Sequence, residues 1–161
     1  MLFRSFEIIL LDASDFLKDD AIKLLGDNSK FLRFISSKGL SRTKSLNQLL
    51  KLSKGEVIVR LDARSSITAN YLDKIYDLFK ISGAEVVGGT MLPIFESSNQ
   101  EIIANLMSHP LCLGGSNFRK IDYTGYVDSI YLGAYSSSFL KSSRLNYDEV
   151  HPDISEDSDL N

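Results

Sequence analysis

Cysteine is nearly absent from these 161 residues, where Cys112 stands alone. A single thiol excludes an internal disulfide and a cysteine metal cluster, and it fits a reducing compartment. No apolar run reaches the roughly 18–20 residues needed to span a bilayer. Residues 1–4 show no charged segment leading into an apolar stretch and a small-residue cleavage site. Together these absences lead to the expectation of a cytoplasmic domain. Net charge is also scarce, at −3 with a pI of about 5.4, so there is no global positive field to hold nucleic acid. Lys38, Arg42, Lys44, Lys51 and Lys54 make one locally basic stretch, and Lys141 with Arg144 a thinner one. Neither is continuous, and a solvated helix face accounts for both.

Several reaction classes lack their motifs. No Gly-x-Gly-x-x-Gly follows a strand candidate, which sets aside a dinucleotide-dependent oxidoreductase. A phosphotransferase of the P-loop type fails for want of Gly-x-x-x-x-Gly-Lys-Ser/Thr. His109 and His151 are far apart, and neither sits at a recognisable spacing from a Ser or Cys nucleophile. Internal repeats and low-complexity tracts are missing too.

What is present is apolar material for one core, 43% of the residues, in a chain of single-domain length. Short apolar runs alternate with helical patterns. Residues 6–11 (FEIILL), 31–35, 56–61 (EVIVRL), 84–87 and 126–134 read as strands. Residues 19–25, 42–53, 99–107 and 137–142 read as helices, as does a segment from Thr68, a candidate N-cap, to about Ile81. Alternation of this kind predicts an α/β sheet with helices on both faces. Ligands of such sheets bind beyond the carboxyl ends of the strands, where Asp12 and Asp62 fall.

Each candidate residue has two readings. Asp12 opens Asp12-Ala13-Ser14-Asp15; it can accept hydrogen bonds from a ribose hydroxyl or base N–H, or cap the following helix. Asp62 ends the strongest strand and either makes a turn or binds a divalent cation that bridges two phosphates. Arg64, two residues on, supplies a positive charge that can reach a diphosphate directly. The acidic run around Glu156, Asp157 and Asp159 suits the first turn of a helix, or makes Asp157 a general base. Gly88-Gly89 and Gly114-Gly115 mark turns or places where backbone approaches a ligand closely.

The order of these pieces resembles the family 2 glycosyltransferases of the GT-A fold, and within them the succinoglycan-type enzymes that build bacterial polysaccharides. The matching stretches are residues 7–12 (EIILLD), 45–47 (SLN), 54–63 (KGEVIVRLDA), 83–89 (GAEVVGG), 127–134 (VDSIYLGA), 147–149 (YDE) and 156–161 (EDSDLN). They cover nearly the whole chain in the family's order. The resemblance implies a GT-A-like, Rossmann-like mixed sheet and an inverting transfer of sugar from a nucleotide sugar to a saccharide or lipid-linked acceptor. That work would be done in the cytoplasm or at the inner face of the membrane. It assigns nucleotide contacts to Asp12, Asn47 and Asp62, to which Arg64 is added for its charge, a Mg2+ or Mn2+ ion to Asp62, and the catalytic base to Asp157. Asp12, Asp62 and Asp157 are then expected around one cleft at one rim of the sheet.

Two departures from the family accompany the match. Arg64 stands where the second acidic residue of the metal-binding Asp-x-Asp element, or often a histidine, is found. The family's first strand and the loop that holds the nucleotide have no counterpart before Phe6, and the chain stops within the helix of Asp157. The expectation is therefore a single partial domain over residues 1–161, prone to self-association through exposed sheet edges and inactive or very poorly active alone. The alternative is a catalytically inactive remnant that serves as a binding or interaction module.

Overall fold

The isoleucine- and leucine-rich run near the start does form a strand, beginning two residues and ending one residue later than the expected span. In the computed structural model, which describes residues 5–14, 17–109, 117–120 and 123–150, this strand is β1, Ile8–Asp12. It pairs in parallel with β2, Leu32–Ser36, in the register Ile8 to Leu32 through Asp12 to Ser36. Parallel pairing requires a crossover. Helix α1, Leu17–Leu25, and a 3-10 turn, Gly26–Phe31, supply it. Helix α2, Arg42–Leu52, follows β2 and packs on β1. Its N-cap Ser41 accepts the Lys44 N–H at 3.3 Å, satisfying one of the orphan donors of a first turn.

The described residues fall into two units. The first holds residues 5–59 and 135–150, the second Arg60–Ala134. In the first, β3, Val57–Val59, pairs with β5, Ala134–Ser136, and β5 runs straight into helix α5, Ser137–Ser143. The Ser137 N–H donates to the Glu56 carbonyl at 2.9 Å. Tyr135, Leu140 and Tyr147 are its buried apolar side chains, with Asp12, Ser37, Thr43, Asn47 and Ser137 as buried polar ones. In the second unit, helix α3, Tyr71–Ser82, packs on β4, Val86–Val87, and helix α4, Ser98–Ser108, follows. Ile75, Val87, Ala104 and Leu132 are buried there. The architecture is α/β. No helix among the described residues is long and apolar enough to cross a membrane.

One expected strand is much shorter than its apolar pattern suggested. Of residues 126–134 only Ala134 is in a strand. Leu132 has φ of +49°, and Tyr131 and Leu132 form a turn. A positive φ at a non-glycine residue is incompatible with extended pairing. Thr68 also does not cap α3. Asn70 holds that position without a side-chain cap, while the Thr68 carbonyl accepts the Tyr71 N–H at 3.0 Å.

Glu7 ties the start of β1 to two later segments of the same unit. Its Oε1 accepts the Lys54 N–H at 2.7 Å, and its Oε2 accepts from Arg33 Nη1 at 3.2 Å. Arg33 Nη1 also donates to the Leu52 carbonyl at 2.9 Å. The Lys54 N–H holds the Glu7 carboxyl below its ordinary value of 4.5, against an opposing effect of burial and with help from Arg33. A carboxylate with a depressed folded pKa adds stability above its unfolded pKa and loses it as pH falls through the folded one. We therefore expect Glu7→Gln to flatten the part of the acid transition that begins near pH 4.5. Urea midpoints measured from pH 7 downward check this. A variant that loses stability as steeply as the parent would exclude Glu7 as a source of the acid sensitivity.

Candidate functional site

The loop after β3 carries both charged residues that the sequence marks at this strand end, and it treats them differently. Asp62 turns back on its own neighbour. Its Oδ1 accepts from Arg60 Nε and its Oδ2 from Arg60 Nη2, each at 3.1 Å. The Arg60 side chain is only 8% exposed and that of Asp62 30%. This is the planar two-point pairing at which a guanidinium excels. The Asp62 carbonyl accepts the Ser65 N–H at 2.9 Å and the Ser65 hydroxyl at 2.6 Å, closing a tight turn. Asp62 thus shapes the loop that presents Arg64.

Arg64 faces a cleft of about 260 Å³ in the second unit. One wall is the remainder of that loop, residues 64–67 with Leu61. The other is residues 89–94, which follow β4, and Tyr71, Tyr131 and Leu132 complete the lining. Arg64 is the one formal charge among the described residues that line it, and none of those residues is Asp or Glu. Hydroxyl groups come from Ser65, Ser66, Tyr71, Thr90 and Tyr131, of which Ser65 and Thr90 donate to the Asp62 and Lys120 carbonyls. Burial pushes the Tyr71 phenol above its ordinary value of 10.0, with a smaller opposing effect from a hydrogen bond to the Gly89 backbone. At neutral pH it is therefore an O–H, able to donate or accept.

Gly88-Gly89 reads differently in three dimensions. Neither residue has positive φ, so neither is needed for a turn of that kind. Both are needed for close approach. A Cβ on Gly88 would collide with Ile130 Cγ2, and one on Gly89 would lie 3.0 Å from Tyr71 Cε2. The backbone of this pair is pressed against side chains of its own unit. That is how the 89–94 segment comes to line a cleft beside Tyr71.

The remaining candidates belong to the first unit or lie outside the described residues. Asp12, 5% exposed, accepts the Ser14 N–H at 2.9 Å and the Ser14 hydroxyl at 2.6 Å on Oδ1. Its Oδ2 accepts the Leu17 N–H at 3.0 Å, the first residue of α1. The helix-capping reading of Asp12 is realised. Asn47, 3% exposed, grips the segment after α5. Its Nδ2 donates to the Tyr147 carbonyl at 3.0 Å and to Glu149 Oε1 at 2.8 Å. Its Oδ1 accepts the Tyr147 N–H at 2.8 Å. Asp157 and its acidic run, Gly114-Gly115, Cys112 and His151 lie outside the described residues. The structure thus puts Asp62 and Arg64 on one loop but only Arg64 on the cleft.

Tyr71 and Thr90 are cleft residues that sequence reasoning missed. Tyr71 was legible only as part of an apolar helix face, and nothing in its spacing marks it as lining a site. No family model matches the chain, and no curated protein matches it significantly.

Proposed function

We propose that this chain carries the donor-binding part of an inverting, sugar-nucleotide-dependent glycosyltransferase of the GT-A kind, acting on a saccharide or lipid-linked acceptor. The observation that carries this reading is the cleft formed where the loops after β3 and β4 meet, with a lone arginine among its described lining residues. Sheets of this class take ligands beyond the carboxyl ends of their strands. A guanidinium and several hydroxyls suit the diphosphate of a nucleotide sugar. The ordered motif series of the sequence supports the same reading. In the reaction, an acceptor hydroxyl oxygen bonds to the anomeric carbon as the bond from that carbon to the diphosphate oxygen breaks. The electron pair leaves with the nucleoside diphosphate. The hydroxyl proton passes to a base, for which the resemblance supplies Asp157.

Stabilisation by nucleoside diphosphates tests this directly. UDP, GDP and TDP should be compared with and without Mg2+ or Mn2+, and at least one should raise the melting temperature saturably. At about 100 times Kd the linkage is worth ~2.7 kcal/mol, or about 5–10 °C for a chain of this length. A flat response to all three under every condition sinks the proposal.

A second reading, a binding module without turnover, is favoured by one set of contacts. Asp12, Asn47 and Asp62 all spend hydrogen bonds on holding the protein itself. It predicts the same stabilisation with no release of sugar from UDP-, GDP- or TDP-sugars. Measured transfer or hydrolysis excludes it.

A further inference from the structure

If the cleft is the donor site, its chemistry bears on whether a metal ion belongs there. The GT-A resemblance implies a divalent cation at Asp62, and the donor set does not fit one. An octahedral cation such as Mg2+ takes about six oxygens, of which one or two are usually protein carboxylate and the rest waters and substrate phosphates, so it needs at least one available carboxylate. Asp62 already gives both carboxylate oxygens to Arg60. To take up a cation it would have to release a guanidinium that is 92% inaccessible to solvent, its side chain being 8% exposed. A doubly charged ion would then sit beside that guanidinium, and the repulsion between like charges opposes its binding. Among the described residues no group of three or more His, Cys, Asp or Glu side chains is placed to hold a metal.

The cleft itself has the opposite electrostatic character. Arg64 is the one formal charge on its described lining, and no carboxylate accompanies it. Such a lining attracts an anion and repels a cation. The volume, about 260 Å³, is below the roughly 300–1,000 Å³ of pockets that enclose a drug-sized ligand. It suits the diphosphate end of a donor better than a whole nucleotide sugar. Arg64 is exposed and comes from the turn that Asp62 and Ser65 close, so its guanidinium is free of the Arg60–Asp62 pair. Two parallel N–H donors of a guanidinium match two oxygens of a phosphate.

We infer that this cleft binds the diphosphate directly through Arg64, without a bridging divalent cation. The positive charge that a metal would lend the leaving group then comes from the Arg64 guanidinium, helped by the neutral hydroxyls of Ser66, Tyr71 and Tyr131 on the lining. Asp62 is a positioning residue. Through the Arg60 pair and its carbonyl it sets the turn that carries Arg64, and it does not touch the ligand.

Isothermal titration of the 161-residue chain with UDP, GDP, TDP and inorganic pyrophosphate, in EDTA and separately in Mg2+ or Mn2+, tests the inference. The expected result is a diphosphate Kd at least as tight in EDTA as with either cation. Arg64→Ala should weaken that binding about tenfold or more, from the loss of charge-assisted hydrogen bonds, and Arg64→Lys should restore part of it. Because Arg64 is exposed, neither change should alter the circular dichroism spectrum. Binding that appears only with Mg2+ or Mn2+ overturns cation independence and leaves the donor-site reading standing. Binding in EDTA that Arg64→Ala does not weaken overturns the assignment to this cleft. Absence of binding in every condition removes the donor site and this inference together. Asp62→Asn gives an independent readout. A positioning role predicts a diphosphate Kd weakened by the same factor in EDTA and in Mg2+, with little further loss when it is added to Arg64→Ala, whereas a bridging ion at Asp62 predicts a loss confined to Mg2+ or Mn2+.

Discussion

Asn47→Ala is expected to destabilise the chain by about 2–5 kcal/mol, measured as a fall in the urea midpoint at constant slope. The reason is what the substitution leaves behind. The Asn47 amide satisfies both the N–H and the carbonyl of Tyr147, and both of those bonds are buried. Alanine removes both of these buried bonds, each costing roughly 1–3 kcal/mol. A domain with a total of about 5–15 kcal/mol feels a loss of that size as a large fraction of its stability. Asn47→Asp is the sharper control. A carboxylate can still accept the Tyr147 N–H, but it cannot donate to the Tyr147 carbonyl, and it faces Glu149 Oε1 where the amide donated. It should therefore recover little. Amide exchange at Tyr147 identifies the site of the damage, since that proton should lose protection in both variants. A midpoint shift worth less than about 0.5 kcal/mol, the range of ordinary surface changes, would show that this clip does not hold the two segments together.

The same residue shows where the sequence stops being informative. Asn47 lies 100 positions from Tyr147, and no periodicity or local motif links two such points. Read alone, an asparagine on the first half of a helix looks solvent-facing or, through the resemblance, ligand-facing. Local information served far better elsewhere. Residues 6–11 announced β1 because a short Ile- and Leu-rich run closed by an acid has few other uses. The α2 and α4 patterns were within one residue of the observed helices, Arg42–Leu52 and Ser98–Ser108. Strand ends and turns fared worst, because tertiary contacts decide them. The apolar residues 126–134 fit strand spacing, yet the positive φ at Leu132 confines the strand to Ala134–Ser136.

The candidate site was half legible for related reasons. Arg64 was visible because an arginine two residues beyond an acidic strand end is unusual chemistry. The pairing of Asp62 with Arg60 was not, although the two lie two residues apart. Alternation on a strand says that residues i and i+2 share a face, and it does not say whether their side chains look to each other or to a ligand. Burial decides it. With the Arg60 side chain 8% exposed, the guanidinium needs a carboxylate beside it, and Asp62 supplies one.

Asp12→Ala is the second change expected to have a large effect, about 2–3 kcal/mol, from the loss of a charged cap. Asp12 is 5% exposed, and among the described residues its carboxylate accepts two hydrogen bonds from Ser14 and one from the Leu17 N–H at the start of α1. Helix N-termini carry unsatisfied N–H groups and a partial positive charge, so an anion is favoured there beyond its hydrogen-bond count. Asp12→Asn keeps one amide oxygen for these donors but sets an NH2 against the other, so about half the loss should remain. Thermal or urea unfolding of the two variants gives the ranking parent, Asn, Ala. The pair also separates the two duties the sequence allows this residue. If capping is its whole role, nucleoside diphosphate affinity measured on the folded fraction stays the same in Asp12→Asn. If the carboxylate also contacts the base, that affinity falls, and it falls unequally between GDP and the two pyrimidine nucleotides, because guanine presents N–H groups different from the one that uracil and thymine share while the diphosphate is common to all three.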